Sequence, residues 1–327
     1  MQDLVKSKIA LITGITGQDG AYLSQFLLNK NYKIIGLVRD NDDYSKLEYL
    51  KIKNKIIFEN CDLLNLTQVI NIIKKYKPDE IYNFAAQSSV DLSLREPEIT
   101  LKFNINSVIN VLESIRLFSF KTRFFQASSC EMFGVADKLP VTENTQFRPL
   151  NAYSISKVSA HLITLNYRVI YKIFACSGIL FNHESYLRGE NFFVKKVIKQ
   201  ALEIKNNKRE KLIVGNLNIK RDLGYAPDYV QAMYLMLQND RPEDFIISSG
   251  KSISLQDIVF YVFAKLNINK NKIYVDKDLY RICDIEHTLG DNSEIKKDLG
   301  WIYNKDFYEI LDLLIEEESR ILNSLFS

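Results

Sequence analysis

Lys8-Ile-Ala-Leu-Ile-Thr-Gly14-Ile-Thr-Gly17-Gln-Asp-Gly20 is the stretch on which the fold turns. Its first half is a short apolar run, rich in β-branched residues and ended by glycine, the pattern of a fully buried strand. The next segment, Ala21 to Lys30, places Leu23, Phe26 and Leu27 at helical spacing. Gly14, Gly17 and Gly20, three apart, therefore lie between a strand and a helix. Glycine lets the backbone turn tightly and come close to a pyrophosphate, and a helix N-terminus offers N–H donors and a positive dipole end. A bare glycine triplet is a weak signal. In this setting, at the first strand of the chain, it predicts a dinucleotide-binding loop, with Thr16, Gln18 and Asp19 beside the glycines.

Outward from the loop, strands and helices alternate. The second strand, Lys33 to Val38, runs into Arg39-Asp40. A carboxylate there would bind the ribose 2′-hydroxyl of NAD, and an arginine would accommodate the 2′-phosphate of NADP. With Arg39 first the reading leans to NADP, with NAD as the alternative. Ile56 to Asn60 is a third strand, followed by Cys61-Asp62-Leu63, a carboxylate at a strand end placed to read an adenine. Leu66 to Tyr76 reads as a helix and Glu80 to Ala86 as a fourth strand. Gln87-Ser88-Ser89 then stands at the C-terminal edge, where open α/β sheets bind ligands. A helix from Ile105 to Phe118 precedes a fifth strand, Arg123 to Ser128, which leads into Ser129-Cys130-Glu131; Phe174 to Phe181 is a sixth strand.

This order predicts an α/β fold with a doubly wound parallel sheet, the Rossmann arrangement. Beyond residue 181 the pattern changes. Asn182 to Ser185 and Arg188 to Glu190 read as a polar connection, followed by a helix from about Phe192 to Lys205, a short strand from Leu212 to Gly215, and a helix starting at Arg221 with Pro227 and Asp228 near its first turn. No second glycine loop occurs, so this part is expected to be a smaller α/β substrate-binding domain. The division expected is residues 1–181 with parts of about 213–245 for the NAD(P)-binding domain, and about 182–212 with 246–327 for the other.

Composition narrows the partners. The chain has 327 residues, 46% hydrophobic and 25% charged, ordinary for a globular protein of roughly two domains. A formal charge of +3 without a Lys/Arg block gives no sign of nucleic acid as a partner. No apolar run reaches the ~18 residues of a membrane span, and Met1 to Lys8 is too short and polar for a signal peptide. The four cysteines are scattered and the three histidines lack metal-ligand spacing. The expectations are no metal, no membrane and a reducing, cytoplasmic location.

Asn151-Ala-Tyr153-Ser-Ile-Ser-Lys157 carries the chemistry. A tyrosine and a lysine four apart sit one above the other on a helix, and an ammonium close to a phenol favours the phenolate, so Tyr153 could act as a base near neutral pH. The same spacing occurs at Tyr49/Lys53 and Tyr261/Lys265, and an isolated pair is most often just a solvated helix face. What singles out Tyr153 and Lys157 is their place after the glycine loop, Gln87 and the rim of the fifth strand.

With these parts in one order, the chain resembles the extended short-chain dehydrogenase/reductases. More narrowly, it is similar to the GDP-mannose 4,6-dehydratase family in Gly14 to Gly20, Ala85-Ala86-Gln87-Ser88, Gln126 to Glu131, Leu180 to Ser185, Gly215-Asn-Leu217 and Lys220-Arg221-Asp222. The matching stretches span residues 8 to about 240. The resemblance implies a redox-neutral reaction on a GDP-linked sugar. Tyr153, helped by Lys157, would take the proton of the sugar 4-hydroxyl as hydride leaves C4 for the nicotinamide, while Ser129 bonds the 4-oxygen. Glu131 would remove the C5 hydrogen and protonate the departing 6-hydroxyl. Hydride return to C6 would give a 4-keto-6-deoxy sugar. It further implies cofactor contacts from Arg39, Leu63, Ala85, Ala86, Leu180, His183 and Arg188. For the substrate it implies Ser88, Ser89 and Asn182, with Lys196, Arg221 and Arg281 around the diphosphate. A homodimer or homotetramer, built through helices such as Ile105–Phe118 and Ala152–Tyr171, is also implied.

Several residues depart from the family pattern. Ser129 stands for a threonine, Cys130 for a serine, Ser89 for a histidine, Asp40 for a second arginine and Leu187 for an arginine, and Arg281-Ile-Cys-Asp-Ile-Glu286 replaces Arg-Pro-x-Glu-Val-Asp. The smaller Ser89 and Ser129 would give room for a larger sugar, such as a GDP-linked manno-heptose. A nucleotide-sugar 4-epimerase or 4-keto reductase is the second reading, and a non-catalytic NAD(P)-binding sensor the third. A sensor has no need of Ser129, Glu131, Tyr153 and Lys157 together.

Overall fold

In the computed structural model, which describes residues 7–280 and 284–324, β1 (Ile9–Thr13) feeds through the glycine turn into α1 (Gln18–Asn29). The alternation continues as β2 (Lys33–Val38), α2 (Ser45–Tyr49), β3 (Ile56–Asn60), α3 (Leu66–Tyr76), β4 (Glu80–Asn83), α4 (Val90–Arg95), α5 (Pro97–Phe118), β5 (Arg123–Ser129), α6 (Ala152–Tyr171) and β6 (Ala175–Leu180). Then follow β7 (Asn182–Glu184), α7 (Phe193–Lys205), β8 (Leu212–Val214), β9 (Lys220–Tyr225), α8 (Ala226–Gln238), β10 (Phe245–Ile247), β11 (Ser252–Ser254), α9 (Leu255–Lys265), β12 (Ile273–Val275), α10 (Ser293–Leu299) and α11 (Phe307–Ser324).

The main sheet has the order β10-β6-β5-β4-β1-β2-β3, with every pair parallel. The doubly wound parallel class expected from the sequence is the observed one. Alternation along β1 explains why its sequence is apolar throughout: Ala10 and Ile12 join the core under α1 and α8, whereas Leu11 joins the core under α3, α5 and α6. The winding direction reverses between β1 and β4. Such a switch point opens a crevice beyond the C-terminal ends of the strands. There the register sets Thr13 opposite Asn83 and Asn83 opposite Gln126.

The smaller region holds a three-stranded sheet, β11-β9-β7, and a pair, β12-β8. Its core is built from Val197, Ile198, Val262, Phe263, Ile310 and Leu311, so α7, α9 and α11 pack together there. The main sheet takes back β10 and packs α8 against α1, while β8 stays with β12 in the smaller region.

Four elements differ from the sequence expectation. The fourth strand stops at Asn83 rather than Ala86, because the backbone leaves the sheet at the cavity edge. The helix expected from Ile105 begins at Pro97: its first two turns bury Thr100 and Asn104, polar residues that a hydrophobic stripe does not register. Asn182 to Glu184, expected in a polar connection, forms β7 and pairs in parallel with β9. Arg221 lies within strand β9, not at a helix start; the helix begins at Ala226, after Tyr225. A Cβ on Gly224 would lie 2.3 Å from the Tyr229 ring, so that strand position has no room for a side chain.

Candidate active site

Gly14 has φ +64°, and a Cβ there would sit 2.8 Å from the Ala85 nitrogen; one on Gly20 would sit 2.5 Å from the Gly14 carbonyl oxygen. The turn therefore excludes side chains at both positions. No side chain caps the N-terminus of α1, leaving its first N–H groups for a ligand. The crevice above holds a cavity of about 860 Å³. Every residue expected to hold the cofactor lines it: Gly14, Thr16, Gly17, Gln18, Asp19, Gly20, Arg39, Asp62, Leu63, Ala85, Ala86, Gln87, Tyr153, Lys157, Leu180, His183 and Arg188. A glycine cradle that a Cβ would fill, below a cavity of this size, fits a dinucleotide. Ser88, Ser129 and Asn182 from the substrate group line the same cavity.

At the β5 end, Asn151 caps α6 by accepting from Ser154 N at 2.8 Å, while Ser154 Oγ accepts from Asn151 N at 3.0 Å. This box starts the helix so that Tyr153 falls in its first turn and Lys157 in the second. Both are buried. Ser129 Oγ accepts from Glu131 N at 3.2 Å and lies close enough to the Tyr153 phenol to favour its ionised form. Glu131, half-buried just beyond, is close enough to act on the phenol electrostatically.

The expected phenolate is not what this environment favours in the protein by itself. Burial pushes the Tyr153 phenol well above its ordinary value; Ser129 and Arg188 oppose this, and Glu131 adds to it. Lys157 Nζ is 5.8 Å from the tyrosine ring centre and donates to the Ala127 carbonyl at 2.8 Å. Burial brings Lys157 itself down to about 8, with Asp19 pulling the other way. A lysine depressed from ~10.4 to that value costs stability below pH 8, and the cost is relieved as pH rises to about 10. Lys157→Met is thus expected to be more stable than the wild type at pH 7, on the order of 3 kcal/mol at most. The gap should close above pH 10. Urea titrations at pH 7 and pH 10 check this, and equal stability at pH 7 would count against the buried charge.

The supporting network was not legible in the sequence. Thr13 Oγ1 donates to Asn83 Oδ1 at 2.6 Å, Asn83 Nδ2 to Gln126 Oε1 at 2.8 Å, and Ala85 N to Thr13 Oγ1 at 3.1 Å. The signal available was a polar residue near the end of each of three apolar strands. Asn104 on α5 joins the two halves of the site. It accepts from Gln87 N at 2.8 Å and donates to the Gln87 carbonyl at 3.0 Å and to Ser156 Oγ at 2.9 Å. Ser156 in turn donates to the Tyr153 carbonyl. Asp42, Lys46 and Lys102 also line the cavity and were not expected to.

His183 ties β7 to the glycine loop. Its Nδ1 meets the Phe181 carbonyl at 2.7 Å and its Nε2 meets Asp19 Oδ1 at 2.9 Å. Gln18 adds bonds to the His183 carbonyl at 3.2 Å and from Ser185 Oγ at 2.7 Å. Burial raises the Asp19 carboxyl, but His183, Arg188 and Gln18 outweigh it and leave the group below its ordinary value. Arg188 lies over the Phe192 ring at 3.6 Å.

Other expected substrate residues lie elsewhere. Ser89 is not in the cavity lining; it caps α4, its Oγ accepting from Leu92 N at 3.2 Å. Arg221 is buried and engaged internally, donating to the Lys220 carbonyl at 3.1 Å and to the Ile285 carbonyl, and pairing with Asp284 at 3.2 Å. Lys196 is half-buried on α7, outside the lining, and Arg281 lies outside the described residues. Among the described residues, no group of three His, Cys, Asp or Glu could hold a metal ion, and no helix is long and apolar enough to cross a membrane.

A family model described as GDP-mannose 4,6 dehydratase matches residues 11–314. GDP-mannose 4,6 dehydratase 2 of Arabidopsis thaliana is 38% identical over 324 residues, covering 95% of this chain and 87% of the relative. Among solved structures, DesIV, a dTDP-glucose 4,6-dehydratase from Streptomyces venezuelae with NAD and TYD bound, superposes with a TM-score of 0.85 at 18% identity, over 94% of this chain and 96% of that one. RMD from Pseudomonas aeruginosa, complexed with NADPH, gives a TM-score of 0.82 at 20% identity, over 96% of this chain and 100% of that one. The two structural likenesses carry the fold.

Proposed function

Because the chain belongs to the GDP-mannose 4,6-dehydratase family, we propose that its cavity is the site where a GDP-sugar, GDP-mannose in the first place, loses water to become the 4-keto-6-deoxy sugar. The observation that carries this is the meeting of Ser129, Tyr153 and Lys157 at one end of a dinucleotide-sized cavity, with Glu131 next to Tyr153. The cofactor, when bound, would supply the hydride acceptor for C4 and the same hydride for return to C6. Tyr153 accepts the proton of the 4-hydroxyl, and Ser129 orients the 4-oxygen through its hydroxyl. Lys157, fixed by the Ala127 carbonyl, places positive charge beside the tyrosine. Glu131 takes the proton from C5, acidified by the 4-ketone, and delivers one to the departing 6-hydroxyl. Atoms balance with the loss of one water and no net redox change. Incubating the protein with GDP-mannose and reading product mass tests this: a product lighter by one water without net cofactor consumption is expected, and an unchanged mass with epimerised C4 would replace it by the epimerase reading.

For the cofactor we infer NADP. Arg39 and Lys46 both line the cavity beyond β2, whereas the Asp40 carboxylate is held by Asn60 and is not part of the lining. Asp42 accepts from Arg39 N and Thr16 Oγ1 and pairs with the Arg39 guanidinium at 3.4 Å, a contact that a bound 2′-phosphate would replace. Arg39→Ser is expected to weaken NADP binding about tenfold and leave NAD binding within about twofold, as loss of one phosphate-paired cation requires. Titration calorimetry with both cofactors checks it, and equal weakening of both would remove the 2′-phosphate role.

We also infer a homo-oligomer working in the cytoplasm. Ile155, Leu162 and Val169 recur every seventh residue on the outer face of α6 and are 44%, 49% and 51% exposed, a stripe suited to a second copy. The described cysteines Cys61, Cys130 and Cys176 are free and buried, as suits a reducing compartment. The mass in solution tests the first statement: a monomer at micromolar concentration would refute it.

A further inference from the structure

Ser128 lines the cavity between Ala127, whose carbonyl holds Lys157, and Ser129, the neighbour of Tyr153, yet has no part in the chemistry of those residues. Its side chain is buried, and its hydroxyl meets Nδ1 of His161 at 3.2 Å. His161 lies on α6, two turns beyond Tyr153, and its Nε2 faces Asp244 Oδ2 at 3.8 Å. Asp244 is itself held in place. Arg168 grips both its oxygens, at 2.8 and 2.7 Å, and Ser177 N donates to it at 2.6 Å. The Phe147 ring closes the edge of the imidazole at 5.2 Å. The charged groups facing the ring are Asp244, from the segment before β10, and Arg168, from α6 itself.

The polarity of the chain of groups follows from what each can donate. Asp244 Oδ2 stands 3.8 Å from Nε2, beyond direct hydrogen-bond reach, and its position beside that nitrogen favours the hydrogen there. A neutral ring then presents a lone pair at Nδ1, and Ser128 must donate to it. The lone pairs of the serine oxygen are left for the cavity. A charged ring would reverse this and turn the serine hydrogen outward. Burial and Arg168 oppose that charge, while Asp244 favours it, and the net effect holds His161 below its ordinary value.

We propose that His161, backed by Asp244, fixes Ser128 as a hydrogen-bond acceptor at the reacting end of the cavity, where it receives an N–H or O–H group of a bound ligand. The donor is either the carboxamide amino group of the nicotinamide or a hydroxyl of the sugar. The choice of ligands rests on the dehydratase reading; the tautomer of His161 does not.

The test begins with ¹⁵N-histidine labelling of the full chain. It has three histidines, and His161→Phe identifies the signals of one by their disappearance. His161 is expected to be neutral with Nε2–H from pH 6 to 8. In Ser128→Ala its Nδ1 signal should move toward that of an unbonded nitrogen, while the other two histidines stay in place. A charged His161, or an Nδ1–H ring, in that range overturns the relay whatever the enzyme does. In turnover, Ser128→Ala and His161→Phe should each lower kcat/KM for GDP-mannose about tenfold, the worth of one hydrogen bond to a buried partner. The double variant should be no worse than the worse single one; losses that multiply overturn the coupling.

Melting curves confirm that each variant is folded, and if His161→Phe is not, the labelled Ser128→Ala protein decides alone. To separate the two donors, Ser128→Ala is titrated with NADP and with its 3-acetylpyridine analogue, which has a methyl group in place of the amide N–H. Weaker binding of NADP alone assigns the carboxamide. Unchanged binding of both with a raised KM assigns the sugar, and no change in either overturns the acceptor role. A correct tautomer in a protein that leaves GDP-mannose untouched would refute the dehydratase reading and leave the relay standing.

Discussion

Glu131→Gln is expected to lower formation of the dehydrated product by about 10³-fold, the range in which a positioned acid/base group contributes. Glutamine keeps the shape and the backbone bond from Glu131 N to Ser129 Oγ, so the site stays assembled. What it loses is the capacity to take a proton from C5 and give one to the 6-oxygen. The variant should therefore bind GDP-mannose as the wild type does, with KM within about threefold. In deuterated water the wild type incorporates solvent deuterium at C5 and the variant does not. Product mass and the C5 proton resonance read these outcomes. Dehydration within tenfold of the wild-type rate would remove Glu131 from the role and move the search to Cys130, Asn182 or a water held between them. The same variant separates dehydration from epimerisation, because a 4-epimerase has no proton to remove at C5.

The second large effect concerns stability. Asp222 is fully buried, and its carboxylate binds two separate parts of the chain. Oδ1 accepts from Ser249 N at 2.8 Å and Ser249 Oγ at 2.6 Å, and Oδ2 accepts from Gly250 N and Gly290 N, both at 3.2 Å. The knot ties β9 to the turn after β10 and to the strand-like bridge at Gly290. Asp222→Ala leaves the buried Gly290 donor and the partly exposed Ser249 and Gly250 donors without that acceptor and opens a cavity beside them. Each orphaned donor costs ~1–3 kcal/mol, and partial relaxation brings the expected loss to about 4 kcal/mol. That is a large part of the ~5–15 kcal/mol of a typical domain. Asp222→Asn should recover less than half of it, because the amide nitrogen would face the Gly250 and Gly290 donors. Urea unfolding monitored at Trp301 measures both variants. A loss under 1 kcal/mol for Asp222→Ala would mean that water replaces the carboxylate, and the knot would no longer explain the position.

Sequence alone determined the parallel doubly wound sheet, the glycine loop, the place of Tyr153 and Lys157, and the family. These are signals of short range: a buried strand in a two-faced sheet is apolar at consecutive residues, a tight turn excludes a Cβ, and a helix pairs residues four apart. They can be read within a dozen residues because the constraint acts within a dozen residues. The early start of α5, the strands β7 and β9 and the capping task of Ser89 were not readable in this way. Asn104 and Thr100 look like breaks in an apolar stripe until Gln87, from another element, comes within hydrogen-bond distance of them. Arg221 looks like the start of a helix until the chain near residue 285 comes back to meet it within a strand. Electrostatics were decided at the same level. The spacing of Tyr153 and Lys157 promised a loosened phenol proton, and the tertiary structure reversed the sign by burying both groups. Spacing sets which charges are neighbours; the amount of water left around them sets what their proximity is worth.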